Sequence, residues 1–248
     1  MTTDRKVHND AHDPRARPMT ASKGKTRRAP GRPPATGDAV PADTILDAAL
    51  HAFATYGYEG VSVRTVNREL NVSHSLINQR FGSKEGLWRA AVDHGFGQIT
   101  RELAGVFDPT LTDPLEQLRL WIRRFLQLSA DHPELVGLMN IEGRQDTAHL
   151  DYLYDTYVEP SMARVAPLLE HLADAGRIRR VPLRTFHFLV VHGGAASHTL
   201  TALAEHFDPT SPLEANEVDQ HAQLVADLLI DGLRLDPPPT RNRKGTSS

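Results

Sequence analysis

The sequence predicts an all-α protein, and three observations carry that expectation. Apolar residues recur at helical spacing from Ile45 onward. Valine and isoleucine never cluster in alternating runs, so strands are not expected. Between Ser62 and Phe81, two short amphipathic stretches meet at a tight Asn71-Val72-Ser73 corner, the outline of a helix-turn-helix.

Taken in order, residues 1–40 are rich in Pro, Gly, Ala, Thr and charge, lack periodic apolar positions and read as disordered. They hold nine Lys or Arg against four Asp, a net of +5, so the rest of the chain carries −8 of the overall −3. A cationic arm on an acidic body suits a DNA-binding end joined to a separate sensor. Within the arm, Arg27 to Pro33 resembles the Gly-Arg-Pro core of AT-hook peptides, which implies Arg28 and Arg32 in a narrow minor groove. A merely solvated basic linker is the alternative.

The first globular helix is expected from Asp43 to Tyr56, with Ile45, Ala49, Ala52 and Phe53 on one stripe and Gly57 as its stop. Val63, Val66 and Leu70 then share one face of a second helix capped by Ser62, and Ile77 and Phe81 share one face of a third capped by Ser73. Val61 with Val66, and Val72 with Ile77, are spaced as hydrophobic staples, and Asn71 tolerates the left-handed backbone a corner needs. The outer face of the third helix carries His74, Ser75, Asn78 and Gln79, side chains suited to reading base edges in a major groove. Ser62, Arg64, Ser73, Arg80 and Lys84 flank it as phosphate contacts. Ser83 caps a fourth helix carrying Leu87, Trp88, Ala91 and Val92.

From Ile45 to Leu87 the chain resembles the DNA-binding domain of the TetR family of bacterial transcriptional regulators. The resemblance rests on the first helix, the Gly57 stop, the Val72-Ser73 corner and the exit Phe81, Ser83, Lys84, Glu85 and Leu87. It departs at Asn67, Asn71 and Asn78, the last standing where members often place an aromatic against a phosphate. The resemblance implies a three-helix helix-turn-helix DNA-binding domain over residues 41–86, followed by a helical effector-binding and dimerisation domain over residues 87–235. It further implies a dimer on a pseudo-palindromic operator of double-stranded DNA, in most members as a repressor, altered by a small-molecule effector.

Beyond Leu87 the periodicity predicts helices over Leu115–Ala130, Pro133–Ile141, Leu150–Ala175 with a break at Pro160, Leu183–Phe207 and Val218–Leu235. The Pro-rich, then basic tail over residues 236–248 reads as disordered. The aromatic and sulfur residues of the body are first of all core. As a group they also suggest a cavity lined by Trp121, Phe125, Met139, Tyr154, Tyr157, Phe188 and His192. Small residues at Gly194 and Ala195, together with Ala202, Leu224 and Leu228, suggest a self-associating face, with a tight internal contact as the alternative.

Several classes are excluded or disfavoured. With no cysteine there is no disulfide and no thiolate chemistry. The thirteen histidines offer no metal site, because His187, His192 and His198 do not share a helical face. No nucleophile elbow or phosphate-cradling loop appears, so no catalytic residue and no cofactor are expected, and the chain reads as a regulator rather than an enzyme. No apolar run reaches a membrane span, and the expected location is the cytoplasm. An architectural DNA binder without an effector, or an enzyme with a helix-turn-helix appendage, remain the competing readings.

Overall fold

The computed structural model describes residues 40–70, 75–107 and 113–235, and their regular secondary structure is helical apart from one isolated bridge between Ile178 and Arg234. The expectations on the arm with Arg28 and Arg32, on the corner with Asn71, Val72, Ser73 and His74, and on the tail lie outside the described residues.

Helix α1 (Ala42–Gly60) runs past the expected end, but its regular geometry breaks at Gly57, whose positive φ of 70° favours glycine. Helices α2 (Val63–Glu69) and α3 (Leu76–Phe81) follow. The Thr65 N–H donates to Ser62 Oγ at 3.1 Å, the cap expected there. Ile45, Phe53, Val66, Ile77, Leu87 and Trp88 are fully buried together, so the three short helices share one core with the start of α4 (Lys84–Gly105). Ser83 caps α4 by accepting from the Gly86 N–H at 3.0 Å. The expected boundary between residues 86 and 87 falls in the first turn of α4. The head core also continues into Leu135, Leu138 and Leu153 of the body.

Helices α5 (Pro114–Asp131) and α6 (Pro133–Glu142) match their periodicity within a residue or so. The break expected at Pro160 is replaced by a continuous path: α7 (Ala148–Leu153), a π-helical turn over Tyr154–Val158, then α8 (Glu159–Asp174). Proline clashes with the carbonyl four residues back. The wider turn, closed by the Glu159 N–H on the Tyr154 carbonyl, accommodates the ring without ending the helix.

The single helix expected over Leu183–Phe207 is instead four pieces. These are α9 (Leu183–Phe188), a π-helical turn over Leu189–Gly194, α10 (Ala196–Thr199) and α11 (Thr201–Phe207), with non-helical joints at Ala195 and Leu200. Gly193 and Gly194 are poor helix formers, and the Gly194 carbonyl is taken by His221 Nε2 at 2.7 Å, which removes it from the helical ladder. Helix α12 (Ala215–Leu233) packs along α5, tied by the Arg119–Asp227 ion pair and by Gln127 donating to Asp219 at 2.8 Å. No helix among the described residues is long and apolar enough to cross a membrane.

Candidate functional site

Helix α3, on which the base-reading residues are expected, is short and held from below. Ile77 is fully buried beneath it, while Ser75, Asn78 and Gln79 are exposed on its outer side. Beside it, Ser62 and Arg64 are exposed at the start of α2. Two of the expected phosphate cations are already engaged. Arg80 Nη1 donates to the Val40 carbonyl at 2.6 Å, and Lys84 Nζ lies 4.1 Å from the centre of the Tyr58 ring. Such contacts fix where the two charges sit.

Behind the head, the body forms two adjoining, partly open chambers. The inner one, of about 80 Å³, is lined by Trp121, Phe125, Met139 and Tyr157 among other apolar side chains. The outer one, of about 730 Å³, is lined by Met139, Tyr154, Phe188 and His192, with Asn140 and Arg184. All seven residues expected around a cavity therefore line one chamber or the other. Met139, Val158, Met162 and His187 belong to both and form the shared wall. The two π-helical turns supply Tyr154, Tyr157 and Val158 from one side and Val191 and His192 from the other. Such turns swell a helix locally and recur at functional sites. Burial pushes the imidazoles of both His187 and His192 below their ordinary pKa, and the positive charge His192 can carry depresses His187 further. His192 Nδ1 donates to Asn140 Oδ1 at 2.8 Å.

The residues expected at a self-associating face divide. Gly194 and Ala195 are buried within the protomer. A Cβ at Gly194 would meet Leu126 Cδ2 at 2.9 Å and Val225 Cγ1 at 3.3 Å, so this glycine serves the internal contact of its turn with α5 and α12. Ala202, Leu224 and Leu228 are exposed, and with them Leu200, Leu203 and Phe207, the last 86% exposed. The exposed apolar residues of this face thus lie on α11 and α12 and at the Leu200 joint.

A polar chain joining cavity to head escaped the sequence reading. Tyr157, which lines the inner chamber, donates to Asp93 Oδ1 on α4 at 2.5 Å, and Tyr152 donates to the same oxygen at 2.6 Å. Burial first, then the hydrogen bond to Asp93, raises both phenols and keeps them protonated as donors. Arg89 lies 4.3 Å from the centre of the Tyr152 ring and pairs with Glu85 at 2.7 Å. His149 Nε2 lies 2.8 Å from Glu85 Oε2, and its ring packs between Tyr58 and Trp88 at 4.1 and 4.3 Å. Burial works to raise Glu85, yet the hydrogen bonds from His149 and Arg89 outweigh it and hold the carboxyl below its usual range. These partners stand up to 64 residues apart, and nothing local in the chain announces them.

No group of three or more His, Asp or Glu among the described residues could hold a metal. A family model described as bacterial regulatory proteins, tetR family, matches residues 45–91, and one described as tetracyclin repressor-like, C-terminal domain, matches residues 114–229. The HTH-type transcriptional repressor NicS of Pseudomonas putida is 26% identical over 107 residues, which are 43% of this chain and 50% of that repressor. The chain thus spans about half the length of this curated relative. In fold it resembles the ketosteroid transcriptional regulator KstR2 of Mycobacterium tuberculosis, with a TM-score of 0.64 at 16% identity over 81% of this chain and 98% of that one. It also resembles FadR from Bacillus subtilis, solved in complex with stearoyl-CoA, with a TM-score of 0.55 at 19% identity over 77% and 98%. The two matched regions take in the reading pair and the cavity-bearing body, and the chain belongs to the TetR family of bacterial regulatory proteins.

Proposed function

We propose that the protein is a dimeric, ligand-responsive transcriptional repressor, which binds a pseudo-palindromic operator and is released or altered by a small molecule held in the two chambers. The observation that carries this reading is the joining of an exposed reading helix to an apolar cavity through Asp93 of α4. In this reading Ser75, Asn78 and Gln79, with His74, reach base edges, and Gln79 pairs bidentately with an adenine. Ser62, Arg64, Ser73, Arg80 and Lys84 meet phosphates, and Arg28 and Arg32 of the arm reach the flanking minor groove. The apolar surface of α11 and α12, centred on Leu203, Leu224 and Leu228, meets its copy across a two-fold axis and spaces the two reading helices.

Ligand binding changes DNA affinity only through unequal affinity for two arrangements of α4, and a coupling of about 1–3 kcal/mol alters DNA affinity roughly 5- to 150-fold. The test is selection of binding sites from randomised duplex DNA by the full chain. The expected product is an inverted repeat with half-sites one helical turn or a multiple apart. Retention of DNA without sequence preference, with only a steep salt dependence, would instead mark an architectural binder.

A further inference from the structure

On the footing that the cavity is the regulatory ligand site, the outer chamber is the one with room for the body of an effector. Its volume of about 730 Å³ lies within the range of small-molecule sites, roughly 300–1,000 Å³, whereas the inner chamber, of about 80 Å³, falls far below it. The chemistry of the outer wall then narrows the class of ligand. Most of that wall is apolar, with Leu150, Met162 and Phe188 typical of it. Its polar side chains are Asn140, Tyr154, Arg184, His187 and His192, and no Asp, Glu or Lys lines it.

Arg184 is the permanent charge on this wall. Burial favours the neutral form of both imidazoles, so they add little to it at neutral pH. In the same stretch of chain Arg177 pairs with Asp113 and Arg180 with Asp174, but Arg184 makes no ion pair or hydrogen bond with any described residue. It is exposed on a long stem, so its guanidinium is free to turn toward an anion at the opening. Asn140 adds donors. Its Oδ1 is taken by His192 Nδ1, which leaves the amide hydrogens without a partner among the described residues. A carboxylate only accepts, so it suits such a wall, and the planar guanidinium matches both of its oxygens. A phosphate dianion would bring a second charge with no second cation on the wall to meet it, and an ammonium would meet no carboxylate at all.

We propose that the outer chamber takes a molecule with an apolar body and a single carboxylate, and that the carboxylate pairs with the Arg184 guanidinium. The matched skeletons 5-phenylpentanoate, 5-phenylpentanol and 5-phenylpentylamine separate the terms, titrated calorimetrically into the full chain at neutral pH. The acid is expected to bind most tightly and the amine, repelled by Arg184, most weakly.

Arg184→Gln alters an exposed side chain and leaves the core intact. It should lower affinity for the acid roughly 5- to 20-fold, between what an exposed ion pair and a desolvated charged hydrogen bond supply, and leave affinity for the alcohol unchanged. Leu150→Trp, which fills part of the outer chamber, should weaken acid and alcohol together. An alcohol that binds as tightly as the acid, or an acid that loses nothing in Arg184→Gln, would overturn the proposal and leave the ligand cavity standing. Tightest binding of the amine would overturn the sign of the charge. Acid binding that survives Leu150→Trp unchanged would put the acid elsewhere on the protein and overturn the assignment to this chamber. Binding of none of the three would remove both the proposal and the cavity reading on which it rests.

Discussion

The head and the body of this protein are both helical, yet they are specified in different ways. In the head, caps and core partners lie within a few residues of each other: Ser62 with Thr65, Ser83 with Gly86, Val61 with Val66. In the body, the walls of the cavity come from places far apart, Trp121 on α5, Tyr157 in one π-helical turn and His187 on α9. A surface that must present side chains to a regular duplex can be written locally. A chamber that must enclose a ligand and report on it needs irregular backbone, which tertiary packing stabilises.

The largest effect is expected where the two regions depend on each other through symmetry. Leu224 and Leu228 are 58% and 65% exposed on one side of α12, and in the proposed dimer they are buried. Replacing both with Glu should give a folded monomer by sedimentation. The operator affinity of that monomer should fall by at least about 100-fold, because the second half-site no longer binds as an intramolecular event. A variant that stays dimeric would move the interface elsewhere and detach the cavity from the spacing of the reading helices.

Within the head alone, Gln79→Ala should weaken operator binding by about 1–3 kcal/mol and relax preference at one base position, as a lost bidentate contact does. Unchanged base preferences in a selection experiment would take the reading role away from α3.

How much was legible follows the same division. Helix starts at Ser62 and Ser83, the buried stripe of α1 and the exposed face of α3 were all readable, because each depends on period and on capping chemistry. The cavity residues were readable as a group, since large apolar and aromatic side chains had to meet somewhere in the body. Their division into two chambers was not. The π-helical turn before Pro160 was missed because a proline signals only that the regular ladder must change, not whether the helix ends or widens. Gly194 stayed open between two readings for a related reason: a small residue marks a close approach, and only the fold says that Leu126 and Val225 make one. Asp93 had no local signal at all, being one acidic residue on the polar side of a long helix.

Acid should separate the regions further. Burial, with His221 beside it, holds His198 down to about 4, against an ordinary value near 6.5. A histidine depressed in the folded state contributes its stability above its unfolded pKa, and that contribution is lost as pH falls from about 6.5 toward 4. Between pH 7 and pH 5 this group alone would remove up to about 2 kcal/mol from the body. His187 and His192, also depressed, act in the same direction, whereas Glu142, raised by burial, opposes them. Thermal melts of His198→Leu should therefore show a smaller drop between pH 7 and pH 5 than the unmodified protein. Equal drops would mean that other groups dominate the acid response.

The smallest expected effect is the one most diagnostic of communication between the regions. Tyr157 touches the cavity with its ring and α4 with its hydroxyl, so it is placed to feel a ligand and to pass a shift to Asp93. Tyr157→Phe keeps the ring against Phe96 and removes the hydrogen bond, while Tyr152 continues to satisfy the same carboxylate oxygen. The local cost is that of one hydrogen bond to a charged group, about 1.5–3 kcal/mol at most, reduced here because Asp93 is exposed to water and keeps its other partner. DNA affinity without ligand should then change little. The factor by which ligand alters DNA affinity should shrink about fivefold, a coupling loss of about 1 kcal/mol. Reciprocity requires the same factor to disappear from the effect of DNA on ligand affinity, so titrating ligand with and without operator gives an independent reading of one quantity. If both factors survive in Tyr157→Phe, the hydroxyl is a bystander and the message travels through the apolar contacts of the shared core alone.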